Sequence, residues 1–188
     1  MNPERAGIAP CLIAAVLLLA ACGGGEHVSI GGPFHLLDQN ARPQDQSLLR
    51  GKWSAVFFGY TYCPDVCPTT LQALGEAQDR LGSRAGRFQV VFVSVDPARD
   101  TPGQLRTYLS NPAFPKGAIG LTGTPAQVAD VAKAYRVFYQ PQGSAPGYAV
   151  EHTSAVYLMD PQGRFSRPLD VSQPPDAMAR QVLDAMGG

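Results

Sequence analysis

The sequence lacks an excess of charge of either sign. Its 188 residues carry 15 Lys and Arg side chains against 15 Asp and Glu, so the formal net charge is zero at pH 7. Because proteins bind nucleic acids mainly by placing basic side chains against phosphates, this balance argues against nucleic acid as a partner. Charged residues make up only 16% of the chain and hydrophobic residues 45%. That composition can fill a core and excludes disorder, and the length predicts one folded domain.

Cysteine is also scarce, with four in the whole chain. So few cannot form the disulfide scaffold that stabilises many small secreted domains. Cys11 and Cys22 lie near the amino terminus, which leaves Cys63 and Cys67 for the domain itself. We therefore treat that pair as a candidate for chemistry rather than for structural cross-linking.

A long hydrophobic run is missing as well. The uncharged segment from Ile8 to Ala21 is shorter than the ~20 residues that cross a bilayer, and its position predicts a secretory signal instead. The residues Leu19-Ala20-Ala21-Cys22 resemble the lipobox of bacterial lipoproteins, in which the cysteine receives lipid. We expect residues 1–21 to be a signal peptide and Cys22 to carry lipid. Residues 22–32 would then form a flexible tether. The domain, residues 33–188, would fold outside the cytoplasm, on the periplasmic side of a bacterial membrane.

The rest of the chain alternates strand and helix patterns. Two helix starts, at Thr101 and Thr124, combine a Thr cap, Pro at the first helical position and Gln at the third, which is the capping-box pattern. The predicted elements are strands 34–38 and 53–60, helix 69–81, strand 88–95, helices 102–110 and 125–136, strand 155–159 with a turn into residue 165, and helix 176–186. This order predicts an α/β fold, a thioredoxin-like three-layer sandwich with a central mixed β-sheet.

Cys63 and Cys67 follow the first buried strand and precede the first helix, where α/β sheets build their sites. We expect residues 63–67 to form a tight loop and Pro68 to open the regular helix, because proline crowds the turn before it. Exposed helix N–H groups would then favour the thiolate forms. Two close thiolates can oxidise to a disulfide or hold a soft metal ion, and a third ligand would favour the metal.

Histidine could supply that third ligand. We expect His27, in the tether, and His35, in the first strand region, to be solvated. His152 follows the Gly- and Pro-rich loop 141–147 and precedes an apolar strand, so its imidazole could reach the mouth of the sheet. Two thiolates and one imidazole suit Cu(I), or Cu(II) with an added oxygen, whereas zinc prefers a fourth protein ligand. The residues alone leave open that His152 is structural or solvated.

Several blocks of the sequence together resemble the Sco/SenC family. They are Phe58 to Thr61 leading into Cys63 to Pro68, Ser94 to Pro102, Ile119 to Gly123, and His152-Thr153 before Tyr157 to Pro161. The resemblance implies a membrane-tethered thioredoxin-like domain that binds one copper ion through Cys63, Cys67 and His152. It further implies a role in assembling the dinuclear copper centre (CuA) of cytochrome c oxidase subunit II, with that subunit and other periplasmic copper chaperones as partners.

The surroundings of the cysteines allow more than one interpretation. Asp96 could reach the site as a weak oxygen ligand or as a partner of His152, or it could simply turn the chain. We expect Arg99 and Asp100 to pair locally. Tyr60 and Tyr62 flank the cysteine loop, either as an apolar rim for a docking partner or as packing residues.

Other activities remain open for the same cysteines. In a thiol-disulfide oxidoreductase, Cys63 would attack and Cys67 would resolve, which would keep the cysteines of an acceptor reduced. A redox or copper sensor is also compatible, since a disulfide removes both sulfur ligands. Peroxide reduction is disfavoured, because no single dominant nucleophile stands out. The leading hypothesis is a metallochaperone rather than an enzyme.

Overall fold

A computed structural model describes residues 30–145 and 147–187, together with Met1. The rest of the predicted signal peptide, the lipidation candidate Cys22 and His27 lie outside the described residues. Residues 30–32, the last of the predicted tether, contact the domain: Ile30 packs against the core and the Gly31 N–H donates to the Ala134 carbonyl over 3.0 Å. None of the helices in the described ranges has the length and apolar character that a bilayer crossing requires.

The described residues form nine strands and four α-helices, with 3-10 turns at Gln46–Leu49 and Gly82–Arg87. The strands are β1 (His35–Asp38), β2 (Pro43–Asp45), β3 (Trp53–Gly59), β4 (Phe88–Ser94), β5 (Ile119–Thr122), β6 (Tyr139–Gln142), β7 (Ala149–His152), β8 (Val156–Met159) and β9 (Phe165–Leu169). The helices are α1 (Val66–Arg80), α2 (Pro102–Leu109), α3 (Pro125–Ala134) and α4 (Pro175–Ala185).

Seven of the strands form one mixed sheet in the order β2-β1-β5-β4-β3-β8-β9. The central strands β3, β4 and β5 are parallel, and the flanking strands are antiparallel to their neighbours. Strands β3 and β4 are buried almost throughout, as strands covered on both faces must be. Their register aligns Gly59 with Ser94, so the loops that follow the two strands leave the sheet side by side.

Helices cover both faces of this sheet. Successive strand residues point to opposite faces, so the Phe57 and Phe58 side chains contact the helix layers on the two sides of the sheet. The Phe57 ring contacts Phe92, which in turn contacts Tyr108 of α2. The Phe58 ring contacts Tyr135, directly after α3. The predicted three-layer α/β sandwich with a central mixed sheet is confirmed.

Helix α1 begins at Val66, three residues before the predicted start at Thr69. The prediction was wrong because it placed Pro68 at the helix entrance, whereas Pro68 occupies the third helical position. The first N–H groups of any helix lack an intrahelical acceptor, so proline there loses no hydrogen bond. Cys67 consequently lies inside the first turn of α1 rather than in a loop.

Four short strands, β2, β5, β6 and β7, were not predicted. Strand β5 has only four residues, one of them Gly120, and β6 is largely exposed and contains Pro141. Strands β6 and β7 pair only with each other, as a two-stranded sheet outside the main one. Such segments lack the apolar alternation by which sequence reveals a strand.

The capping predictions are confirmed in full for α3 and in half for α2. Thr124 and Gln127 form the reciprocal capping box of α3. In α2, the Thr101 hydroxyl accepts from the Gln104 N–H, but the Gln104 side chain donates to Thr61 over 3.2 Å instead of returning to the cap. Helix α2 therefore contacts the loop that leads to the cysteines.

Gly59, the last residue of β3, lets α1 approach the sheet closely. A Cβ at this position would lie 2.8 Å from the Cys67 Sγ and 2.8 Å from the Phe92 ring. Both neighbours are fully buried, so neither can move without disturbing the core.

We predict that Gly59→Ala lowers the free energy of unfolding by about 1–3 kcal/mol, the usual cost of overpacking a core. Urea denaturation measures this loss. The matched control is Gly86→Ala, where a Cβ would meet nothing within 4 Å. Equal stability of the two variants would contradict the close approach of Cys67 to β3.

Candidate metal centre

Two sulfurs and one imidazole nitrogen converge at the carboxyl ends of the parallel strands. One ligand atom each from Cys63, Cys67 and His152 lies within 4.8 Å of the other two. The Cys67 Sγ is 3.7 Å from the His152 Nε2. Because metal bonds to sulfur and nitrogen are about 2.0–2.3 Å long, the donors of a three-coordinate site lie about 3.5–4 Å apart. The group therefore fits a single small metal ion with little movement.

The cysteines are brought together by a turn that runs directly into α1. The Cys63 N–H donates to the Tyr60 carbonyl over 3.2 Å, and the Cys67 N–H points at the Cys63 Sγ from 3.4 Å. The Cys67 side chain is fully buried, and Cys63 is half-buried. Of the two sulfurs, the Cys63 sulfur is thus the one that a second molecule can reach.

Burial raises the pKa of the Cys67 thiol well above its usual range, and the nearby Cys63 acts in the same direction. The expectation that the helix start favours the thiolate is therefore wrong for Cys67, because the burial of its sulfur favours the neutral thiol. A metal ion that binds this sulfur has to displace its proton.

His152 is the last residue of β7, and it pairs with Tyr139 across the β6–β7 hairpin. Its Nδ1 lies 3.0 Å from the Thr153 carbonyl oxygen. A carbonyl can only accept, so Nδ1 carries the proton of the neutral ring and Nε2 presents a lone pair toward Cys67. The Tyr60 ring packs edge-on against the imidazole. A backbone acceptor on one ring nitrogen is the arrangement that orients histidine ligands in metal sites.

The loop before Cys63 is held by the carboxylate of Asp100. This fully buried side chain accepts from the Thr61 N–H at 3.0 Å, the Thr61 hydroxyl at 2.6 Å and the Ser94 hydroxyl at 2.7 Å. Burial raises the pKa of Asp100, while the hydrogen bonds from Thr61 and Ser94 oppose that rise. The predicted local pairing of Asp100 with Arg99 is wrong, because Asp100 turns inward to cap this loop and leaves Arg99 to another partner.

That partner is Asp96, which forms an ion pair with the Arg99 guanidinium and accepts from the Tyr148 hydroxyl at 2.6 Å. The carboxylate of Asp96 is not part of the ligand group found among the described residues. The Arg99 guanidinium lies over the Tyr148 ring, 3.6 Å from its centroid.

The remaining sequence candidates fall outside this group. His35 is exposed on β1, next to the edge strand of the sheet. Tyr60 is buried and Tyr62 is half-exposed, so the first packs and the second forms part of the rim. Sequence reasoning missed Thr61 and Tyr148, whose partners lie 39 and 52 positions away along the chain.

Comparison with known proteins agrees with this geometry. The SCO1/SenC family model matches residues 23–187. The chain belongs to the SCO1/SenC family. Among its Sco relatives, the mitochondrial protein SCO2 of Saccharomyces cerevisiae is 43% identical over 142 residues, which are 73% of this chain and 46% of that protein. The SCO2-like protein RC0895 of Rickettsia conorii is 36% identical over 156 residues, 81% of this chain and 75% of that one.

Solved Sco structures share the fold. Copper-bound ScoI of Bradyrhizobium japonicum superposes with a TM-score of 0.77 at 41% identity, covering 83% of this chain and 99% of that one. Copper-bound yeast Sco1 gives a TM-score of 0.78 at 38% identity, covering 84% and 88%. This chain spans less than half the length of the yeast SCO2 relative.

We predict that Asp100→Ala lowers the free energy of unfolding by about 3 kcal/mol, because it leaves buried donors of Thr61 and Ser94 unpaired. Asp100→Asn should cost less, since its amide oxygen still accepts. Urea denaturation measures both variants, and Asp130→Ala, at an exposed position on α3, is the control. A loss no larger than that of the control would contradict the role of Asp100.

The raised pKa of Asp100 also predicts a dependence on pH. In the unfolded state the pKa of Asp100 is ~3.9, and in the folded state it is higher. At pH values between the two, the native state holds more protons than the unfolded state. The free energy of unfolding therefore falls as the pH rises through this window. Asp100→Asn lacks this group. From about pH 4 upward, the unfolding free energy of the wild type should therefore fall relative to that of Asp100→Asn. A difference that stays constant would contradict the raised pKa.

Proposed function

We propose that this protein is an extracytoplasmic copper metallochaperone that binds one copper ion through Cys63, Cys67 and His152. The convergence of these three donor atoms within 4.8 Å carries the proposal. Copper is the cargo of such a protein. The protein delivers it to the dinuclear CuA centre of cytochrome c oxidase subunit II. The copper-bound structures of the ScoI and Sco1 relatives support copper as the metal.

The donor set favours copper on chemical grounds. Two thiolates and one imidazole satisfy Cu(I), a soft ion that is stable with few ligands. Cu(II) would need an added oxygen, which water can supply at the half-exposed Cys63 and His152. Zinc in structural sites prefers four protein ligands, and the described group offers three.

The unequal burial of the ligands suits delivery by ligand exchange. Cys67 is buried, whereas Cys63 and His152 lie at the surface end of the group. Two acceptor ligands can therefore replace Cys63 and His152 one after the other while Cys67 still holds the ion. Since the thiols must lose protons to bind, loading should weaken as the pH falls.

Anaerobic titration of the purified protein with Cu(I), against a competing chelator, tests the ligand set. Cys63→Ser and Cys67→Ser should each abolish tight binding. His152→Ala should weaken binding by at least about 100-fold, because even the loss of an outer partner of a ligand costs about 10- to 100-fold. His35→Ala, an exposed histidine on β1, should bind as the wild type does. Undiminished affinity of His152→Ala would overturn the three-ligand site.

The same cysteines support a second candidate, a thiol-disulfide reductase acting on the acceptor. The half-exposed Cys63 sulfur can attack an acceptor disulfide and form a mixed disulfide, and the buried Cys67 can then attack Cys63. The acceptor leaves with two thiols, and this chain is left with a Cys63–Cys67 disulfide that an external dithiol must reduce. His152→Ala separates the two candidates, since it should impair copper binding far more than exchange with a small dithiol.

For localisation, we infer a lipid anchor at Cys22, supported by the lipobox-like residues that precede it. In a bacterial host, Cys22→Ser should move the protein from the membrane fraction to the soluble fraction and abolish labelling with radioactive palmitate. Cys11→Ser changes the other leader cysteine and should alter neither result. Palmitate labelling that persists in Cys22→Ser would contradict the anchor.

A further inference from the structure

We propose that Asp96, Arg99 and Tyr148 form a latch that holds the β6–β7 hairpin over the cysteines and thereby positions His152. The three act as positioning residues, through the imidazole rather than on the metal. The inference rests on the proposed function, because it concerns how tightly the cargo is held and how fast it leaves.

The need for a latch follows from the way the site is divided. Cys63 lies in the loop between β3 and α1, and Cys67 lies in the first turn of α1, both within the main body. His152 belongs to the β6–β7 hairpin, which shares no strand pairing with the seven-stranded sheet. The hairpin is attached to the body by the short link from His152 to β8, by the buried Val150 and by side-chain contacts. The distance from the His152 Nε2 to the Cys67 sulfur therefore depends in part on those side chains.

Tyr148 provides such an attachment. It lies directly before β7, four residues from His152, and its hydroxyl donates to the Asp96 carboxylate over 2.6 Å. Asp96 is buried and follows β4, so it is fixed to the main sheet. The Asp96 N–H also donates to the Ser94 hydroxyl over 3.0 Å, which fixes this segment further.

Arg99 joins both halves of the site. Its guanidinium pairs with Asp96 and covers the Tyr148 ring, 3.6 Å from the centroid. The same group lies 4.8 Å from the ring centroid of Tyr62, the residue before Cys63. One planar cation thus contacts the hairpin that carries the imidazole and the loop that carries the outer cysteine.

The test uses Tyr148→Phe, which deletes the hydroxyl and keeps the ring. Loss of a hydrogen bond to a charged acceptor should reduce the closed population, and so speed Cu(I) release to a chelator and weaken binding by about tenfold. Tyr139→Phe is the matched control, since its hydroxyl lies in the same hairpin and makes no hydrogen bond to a described residue. Arg99→Lys, which keeps the charge and loses the planar stacking, should act in the same direction and serves if Tyr148→Phe fails to fold.

Two further measurements separate positioning from a merely structural role. In a His152→Ala background, Tyr148→Phe should have no further effect on Cu(I) release, because the latch acts through the imidazole. In the metal-free protein, Tyr148→Phe should speed hydrogen exchange at the β7 amides more than at the β3 amides, because only β7 exchanges through opening of the hairpin.

The outcomes discriminate between the latch and the proposed function. Unchanged release and unchanged β7 exchange in Tyr148→Phe would overturn the latch. An equal effect on release in the His152→Ala background, or hydrogen exchange that speeds up equally at β3 and β7, would also overturn it. A wild-type protein that binds no copper would overturn the proposed function, while the exchange experiment on the metal-free protein still decides whether the latch exists.

Discussion

The packing of the Cys67 sulfur beneath the end of β3 is the contact on which the candidate metal centre depends. A glycine at position 59 allows it, since a Cβ there would lie 2.8 Å from that sulfur. The contact fixes the first turn of α1 against the sheet, and with it the side from which a second and a third ligand must approach. Because the sulfur is fully buried, it can bind metal only on the side that faces Cys63 and His152.

Parallel pairing organises the polar support around this contact. The register that sets Gly59 opposite Ser94 makes the loops after β3 and β4 neighbours. Asp100, in the second loop, can then accept hydrogen bonds from Thr61, in the first. A buried carboxylate is costly, and three donors offset part of that cost. The cysteine loop is therefore held by the fold before any metal arrives, so little conformational entropy remains to be lost on binding.

Local patterns were enough to predict the α/β order, the buried strands and the closeness of Cys63 and Cys67. They failed where a contact spans the chain. The hairpin that carries His152 is polar and interrupted by Pro141, with only Val150 of β7 buried, so its pairing leaves no apolar periodicity. Sequence patterns therefore could not place the His152 imidazole beside the two cysteines, and only the family resemblance predicted it there. The prediction that Asp100 pairs with Arg99 is wrong for the same reason, because the actual partner, Thr61, lies 39 positions away along the chain.

The proposed metal transfer and the alternative thiol exchange would compete for the same sulfurs. A disulfide brings the two sulfurs to a distance of about 2.05 Å and consumes both thiolates. A bound metal instead holds the two sulfurs apart and keeps both coordinated. A loaded site is thus protected from oxidation, and an oxidised site cannot load. Under these two proposals, the partner that arrives at the half-exposed Cys63 would determine the outcome: a thiol acceptor would take the metal, and a disulfide acceptor would take the electrons. The imidazole distinguishes the two reactions, because it contributes a bond to the first and supplies no electrons to the second.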